Sequence, residues 1–338
     1  MNVVCYIDNL LQKARELRAS DIHLEPMQNG LRVRLRIDGF LVEHDSIPEE
    51  HAAAVTARVK LMSHLDISEK RIPQDGKIMQ EQLVLRVSTL PTLYGEKIVL
   101  RLFKTRGKPL KLESLGMEAE EQTRVERLLK KASGLIIVTG PTGSGKTTTL
   151  YAMLEQLNRV DTNIVTLEDP IELHLPGINQ VQILPKAGLT FAKGLRAVLR
   201  QDPNVIMIGE IRDVETANIA IGAALTGHLV FTSLHTYDTA SAVMRLIDMG
   251  IEPFRVAAAL AGVIAQRLVR IPCAHCHGSK CTVCGQTGYF GRTGVFEVME
   301  SSEDLGRLIV GRASLGELRH HLIESGMKQL SEAVMEQV

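Results

Sequence analysis

Tryptophan is absent from the 338 residues, and aromatic residues of all kinds make up 4%. Stacking of bases on aromatic side chains, a common grip on single-stranded nucleic acid, has little to work with here. Net charge is absent too: 39 Lys and Arg face 39 Asp and Glu. That balance provides no general pull towards nucleic acid. No apolar run is long enough to cross a membrane. The longest, Val256 to Ala265, lies between Arg255 and Gln266 and reads as a buried helix. Met1 to Leu11 carries Asp8 and lacks the basic start and cleavage site of a signal peptide. Cysteine is scarce, and four of the five lie between Cys273 and Cys284, with Cys5 alone. In an unexported chain, clustered cysteines suggest metal more than disulfides. With 45% hydrophobic residues, the remainder is a folded cytoplasmic protein of about two domains.

The first hundred residues read as a small α+β unit. Leu31, Val33, Leu35 and Ile37 alternate with Arg32, Arg34, Arg36 and Asp38, the period of a half-buried strand. Asp38-Gly39 signals a hairpin into Phe40. Ser46 to Glu49 has capping-box spacing and opens a helix bearing Val55, Val59 and Met62. Strands follow at Leu83–Ser88 and Ile98–Phe103. A polar stretch broken by Gly and Pro places the boundary: a domain over 1–105, a linker over 106–112, and a second domain over 113–338. That second domain includes the cysteine cluster 273–284 and two C-terminal amphipathic helices. Strand and helix alternate through it, as in a three-layer α/β fold with a mostly parallel sheet.

Gly140-Pro141-Thr142-Gly143-Ser144-Gly145-Lys146-Thr147 fits G-x-x-x-x-G-K-[ST] between a strand and a helix. Glycines let successive N–H groups turn inward around phosphate oxygens, and the helix adds its positive end. Lys146 reaches the β and γ phosphates, Thr147 supplies a hydroxyl to Mg²⁺, and Thr148 completes the nucleotide-binding stretch. Val205 to Ile208 is a buried strand followed by Gly209 and Glu210, an acid placed for the Mg²⁺ shell or the attacking water. Glu168 and Asp169 end another strand, as a functional pair or a solvated loop. His228 and His235 flank the strand Leu229–Thr232, as structural residues or as a functional pair. Arg196 and Arg200 share one helical face, either as phosphate or intersubunit arginines or as a solvated basic face.

Four segments carry a family resemblance: Gly140–Tyr151 (GPTGSGKTTTLY), Thr166–Glu172 (TLEDPIE), Arg200–Asp213 (RQDPNVIMIGEIRD) and Thr226–Thr236 (TGHLVFTSLHT). In this order they resemble the Walker A, Asp box, Walker B and His box of the ATPases of type II secretion and type IV pilus assembly. Ala19–Pro26, Arg71–Lys77 and Arg86–Arg101 look like that family's second N-terminal domain. The resemblance implies a hexameric, RecA-like P-loop motor that hydrolyses ATP with Mg²⁺ and works on a polytopic inner-membrane platform protein. It implies Glu210 as general base, Glu168 positioning water or Mg²⁺, and His228 and His235 sensing the γ-phosphate. Arg86 and Arg101 close over the triphosphate. Family members often carry Arg where this chain has Lys77, which keeps the charge and loses the bidentate fork. The short chain begins almost at the second N-terminal domain, like the compact ATPase of the Gram-positive competence pilus. Its expected place is the cytoplasm, at the membrane through its partner, without direct nucleic-acid binding. The competing functions are a hexameric motor on DNA, using Arg32, Arg34 and Arg36, and a nucleotide switch without turnover.

Cys273-x-x-Cys276 and Cys281-x-x-Cys284 are two knuckles four residues apart. Four thiolates at this spacing close a tetrahedral Zn²⁺ site without an open position, so the metal is structural; the other reading is a loop that no longer binds metal. Disorder in this loop is expected to loosen the C-terminal region.

Overall fold

The computed structural model describes residues 1–80, 83–104 and 111–337. Residues 106–110 of the expected linker lie outside the described residues. The chain divides into two compact units, Met1–Gly107 with Arg270–Arg292, and Lys108–Val269 with Thr293–Val338.

The first unit contains α1 (Val3–Glu16), β1 (Asp21–Met27), β2 (Gly30–Ile37), β3 (Phe40–Pro48), α2 (Glu49–Met62), β4 (Gln74–Gln80), β5 (Leu83–Thr92) and β6 (Gly95–Lys104). The strands form one sheet in the order β3-β2-β1-β6-β5-β4. Asn2 caps α1, accepting from the N–H groups of Val4 and Cys5. Ile7, Leu10, Leu11 and Ala14 of α1 are buried at the spacing of one helical stripe. They pack with Val55 and Val59 of α2 and with Leu31, Val33, Leu35 and Ile37 of β2. The arginines between those residues take the other side of the sheet. Asp38 and Gly39 both have positive φ, 48° and 92°, the geometry of a two-residue hairpin turn. The capping box expected at Ser46 is absent. Ser46 belongs to β3, and Pro48 precedes α2 without a side-chain cap.

The second unit begins with α3 (Ala119–Leu129) and β7 (Gly134–Thr139). It continues through α4 (Lys146–Leu157), β8 (Ile164–Glu168), β9 (Asn179–Gln182), α5 (Phe191–Val198), β10 (Val205–Ile208), α6 (Val214–Leu225) and β11 (Leu229–Leu234). After α7 (Thr239–Asp248) and α8 (Pro253–Ala259) come β12 (Leu260–Pro272) and β13 (Tyr289–Glu300). Three helices follow, α9 (Glu303–Val310), α10 (Leu315–Glu324) and α11 (Leu330–Gln337), where the sequence suggested two. The sheet order is β13-β12-β7-β11-β10-β8-β9. Pairing is parallel from β12 through to β9. Every residue of β7, β8, β10 and β11 is buried, as expected of a sheet covered on both faces.

Two expectations fail here. Val256–Ala265 is not one helix: α8 stops at Ala259 and β12 starts at Leu260. A run that is apolar at every position satisfies a buried helix and a doubly buried strand alike. The pairing with β7 selects the strand, and a Cβ at Gly262 would lie 2.6 Å from the Met299 carbonyl oxygen. The cysteine segment also does not group with the second unit. Residues Arg270–Arg292 belong with the N-terminal unit, so the chain passes between units three times.

Beneath α2, Lys60 and Glu96 form a fully buried ion pair at 2.8 Å, and Lys60 also donates to the Glu69 carbonyl oxygen. Lys60→Met leaves the Glu96 carboxylate buried and alone. The expected cost is about 3–5 kcal/mol, and urea unfolding of the full chain measures it. The Lys60→Met/Glu96→Leu double variant should recover most of that loss.

Candidate active site and cysteine knuckle

Parallel strands end on one edge, where open α/β sheets hold their ligands. At that edge β7 leads into the glycine loop. Gly140, Gly143 and Gly145 have φ of 151°, 77° and 90°, accessible to glycine at little cost. A Cβ at Gly140 would lie 2.6 Å from both the Gln266 carbonyl oxygen and Ser144 Oγ. At Gly143 it would meet nothing within 4 Å, so the loop opens outward there. Gln266, at the end of the buried part of β12, donates to the Ser144 carbonyl oxygen at 2.5 Å and ties the loop down. Ser144 Oγ is buried without a hydrogen-bond partner among the described residues. Pro141, Thr142 and Thr147 are exposed. These features fit a phosphate chain, with α4 directing its N-terminus into the loop.

Lys146 donates to the carbonyl oxygens of Gly140 and Pro141 at 2.8 and 3.0 Å. Its Nζ lies 3.4 Å from His235 Nδ1. His235 Nε2 lies 3.6 Å from a Glu210 carboxylate oxygen, whose other oxygen accepts from Arg212. Lysine, imidazole and carboxylate, from the ends of three neighbouring strands, thus form one polar line. Burial lowers the Lys146 pKa from 10.5 to about 8, with Glu210 opposing the shift and Arg267 adding to it.

Glu168 does not face this line. It is 3% exposed, and its carboxylate accepts from Tyr151, from Thr166 at 2.5 Å and from Gln180 at 3.0 Å. It ties the P-loop helix to β8 and β9. Its partner Asp169 is exposed and acts electrostatically on Arg212. His228 is also misplaced by the sequence reading. It precedes β11, and its carbonyl oxygen accepts from the Gly134 N–H at the start of β7. The P-loop lies at the other end of β7, about 20 Å away along the strand. Within one chain, His228 therefore has no access to this phosphate site. Arg196 is exposed and pairs with Glu215, while Arg200 donates to the Arg196 carbonyl oxygen. Neither has a described hydrogen bond or ion pair with the P-loop. Arg86 and Arg101 sit opposite each other on β5 and β6. Register extends that row to Lys77 on one side and to Asp21 and Arg36 on the other. The sequence reading missed Tyr151, Gln180, Arg212, Gln266 and Arg267. Tyr151 and Arg212 sit inside recognised motifs, whereas Gln266 is marked only as the first polar residue after the longest apolar run.

The sulfurs of Cys273, Cys276, Cys281 and Cys284 all lie within 4.8 Å of one another. Three pairs stand at 3.9, 3.9 and 3.7 Å. A tetrahedron with Zn–S of about 2.3 Å needs S···S of about 3.8 Å. Burial would raise the Cys284 pKa, but the N–H groups of Cys281 and Gly288, each 3.2 Å from its sulfur, help bring it down to about 6. The four residues fit a structural Zn²⁺.

Glycine loop, buried lysine and an acid beyond the neighbouring strand define a P-loop ATPase on a RecA-like sheet. The chain belongs to the Type II/IV secretion system protein family, which it matches over residues 1–338. Type II secretion system protein HxcR of Pseudomonas aeruginosa is 46% identical over 98% of this chain and 73% of its own length. Type IV pilus assembly ATPase PilB of Thermus thermophilus is 44% identical over 97% of this chain, which spans 40% of that relative. The solved structure of the pilus retraction motor PilT with bound ADP matches at a TM-score of 0.66 and 27% identity. It covers 97% of this chain and 96% of PilT. The Legionella pneumophila ATPase DotB shares the fold at a TM-score of 0.76 and 23% identity, over 98% of this chain and 91% of its own.

The Lys146 pKa sets a pH dependence. Bound phosphate favours the ammonium, so binding draws a proton from solvent wherever free Lys146 is partly neutral. ATP affinity should be nearly level below pH 7 and weaken as pH rises through 8. Calorimetry in buffers of different ionisation enthalpy should show uptake of about half a proton at pH 8.

Proposed function

We propose that the protein hydrolyses ATP with Mg²⁺ and drives assembly of a type IV pilus or type II secretion pseudopilus. It does so as a homohexamer acting through a polytopic inner-membrane platform protein. The observation that carries the chemistry is the Lys146–His235–Glu210 line at the mouth of the P-loop. Lys146 leaves the loop carbonyls for the β and γ phosphates. Thr147 and Glu210 would hold the Mg²⁺ shell when the metal enters with ATP, and Glu210 would take the proton of the attacking water. His235, between lysine and acid, senses whether the γ-phosphate is present. Arg86 and Arg101 bring positive charge from the N-terminal unit, and Arg196 and Arg200 serve subunit contacts. Glu168 acts through Tyr151 on the position of α4 rather than on water.

The names of HxcR and PilB support the biological setting. The competence pilus, whose compact ATPase the sequence resembles, is one machine of this kind, although neither of these two relatives is named for it. No helix of the described residues is long and apolar enough to cross a membrane. In this reading the platform protein is what brings the ATPase to the membrane. A DNA motor is disfavoured by the arginine strip itself. Arg32 and Arg34 pair with Glu25, and Arg36 lies 3.7 Å from Asp21.

Glu210→Gln should bind ATP nearly as tightly as the parent and hydrolyse it at least about 10²-fold more slowly. Lys146→Ala should lose both binding and turnover. Equal loss of binding in the two variants, measured by calorimetry beside phosphate release, would remove Glu210 from its role. Light scattering with a non-hydrolysable ATP analogue should show a hexamer. A monomer that turns over at full rate contradicts the ring.

A further inference from the structure

Residues 273–288 contain one large aliphatic side chain, Val283, and it is half exposed. The knuckle therefore has no apolar core, yet residues within and beside it converge on one place in the N-terminal unit. Before it, Arg270 lies between the rings of Phe40 and Tyr289, 4.0 and 3.8 Å from their centroids. Within it, Gly285 sits so close to the end of α1 that a Cβ would come 3.0 Å from Leu17, with Ile37 at 3.8 Å. After it, Arg18 stacks 3.4 Å over Phe290, and the Gly291 N–H donates to Asp38 at 2.9 Å. Asp38 also pairs with Arg18 at 3.5 Å. Apart from the Arg270–Tyr289 contact, every one of these contacts falls on the end of α1 or around the β2–β3 turn.

We infer that the cysteine knuckle fastens the ATPase chain to its own N-terminal unit, and that bound Zn²⁺ is what lets the fastening hold. The inference rests on the zinc reading and adds its partner surface, formed by Leu17, Arg18, Ile37, Asp38 and Phe40. Rings and guanidinium groups grip only when the residues bearing them are fixed. The flanks are joined where β12 and β13 pair and where the Cys273 N–H donates to the Gly288 carbonyl oxygen at 2.9 Å. Between them, the four sulfurs are the frame that holds the turns and keeps Gly285 against Leu17. The first passage between units runs through the segment after Lys104. The other two are the strands β12 and β13, which lead into and out of the knuckle. Metal occupancy thus decides whether the second connection is anchored or merely tethered, and loss of metal should loosen the N-terminal unit rather than the C-terminal helices.

Hydrogen exchange of the full chain, read by mass spectrometry beside zinc content, tests this. Removing zinc with EDTA should speed exchange at least tenfold across residues 34–43, leave 135–139 and 205–208 unchanged, and be reversed by added Zn²⁺. Arg270→Ala should speed the same segment while keeping one zinc per chain, which separates docking from metal binding. Unchanged protection at 34–43 after zinc is lost, or in zinc-loaded Arg270→Ala, would overturn the inference. So would purified protein that holds no zinc and still protects that hairpin. ATP hydrolysis by such a protein would leave the proposed ATPase function standing.

Discussion

Parallel pairing obliges β8, β10, β11, β7 and β12 to finish on the same side of the sheet, and the site depends on that alignment. The functional groups sit at or just past the last buried residue of each strand. Glu210 comes after β10, His235 after β11, Lys146 opens the helix after β7, and Gln266 closes the buried part of β12. Shifting one strand by a residue would swap its side chains between the two covered faces, spoil their packing and carry the functional groups out of reach. The apolar interior is thus what holds Lys146, His235 and Glu210 in line at 3.4 and 3.6 Å.

Burial then sets the chemistry of those groups. Lys146 is enclosed far enough to lose part of its proton affinity, and its amine rests on loop carbonyls that a phosphate chain can replace. Glu168 shows the opposite use of burial. Three donors satisfy its carboxylate, so it braces α4 against β8 and β9. Two acids of similar sequence context, each at a strand end, are separated by what packs around them.

Much was legible in advance because the relevant signals are local. The alternation Leu31-Val33-Leu35-Ile37 requires one buried face, and Asp38-Gly39 admits the positive φ of a tight turn. The glycine loop is a string of backbone conformations and donors that neighbouring residues encode without outside help. The cysteine spacing restricts four sulfurs to a small volume in the same way.

The rest depended on partners distant in sequence. Val256–Ala265 has no polar residue to declare a period, and only pairing with β7 makes its second half a strand. His228 and His235 look equivalent beside β11, yet strand direction sends them to opposite edges, with one reaching Lys146. Tyr151 removes Glu168 from the water-facing edge. Phe40, Arg18 and Asp38, more than two hundred residues from the cysteines, draw the knuckle into the N-terminal unit. The sequence by itself determined the loops, turns and ligand spacings, because these are fixed by the backbone freedom and chemistry of adjacent residues. Which of those groups meet was decided by the tertiary structure, because contact depends on the packing of apolar faces contributed by the whole chain.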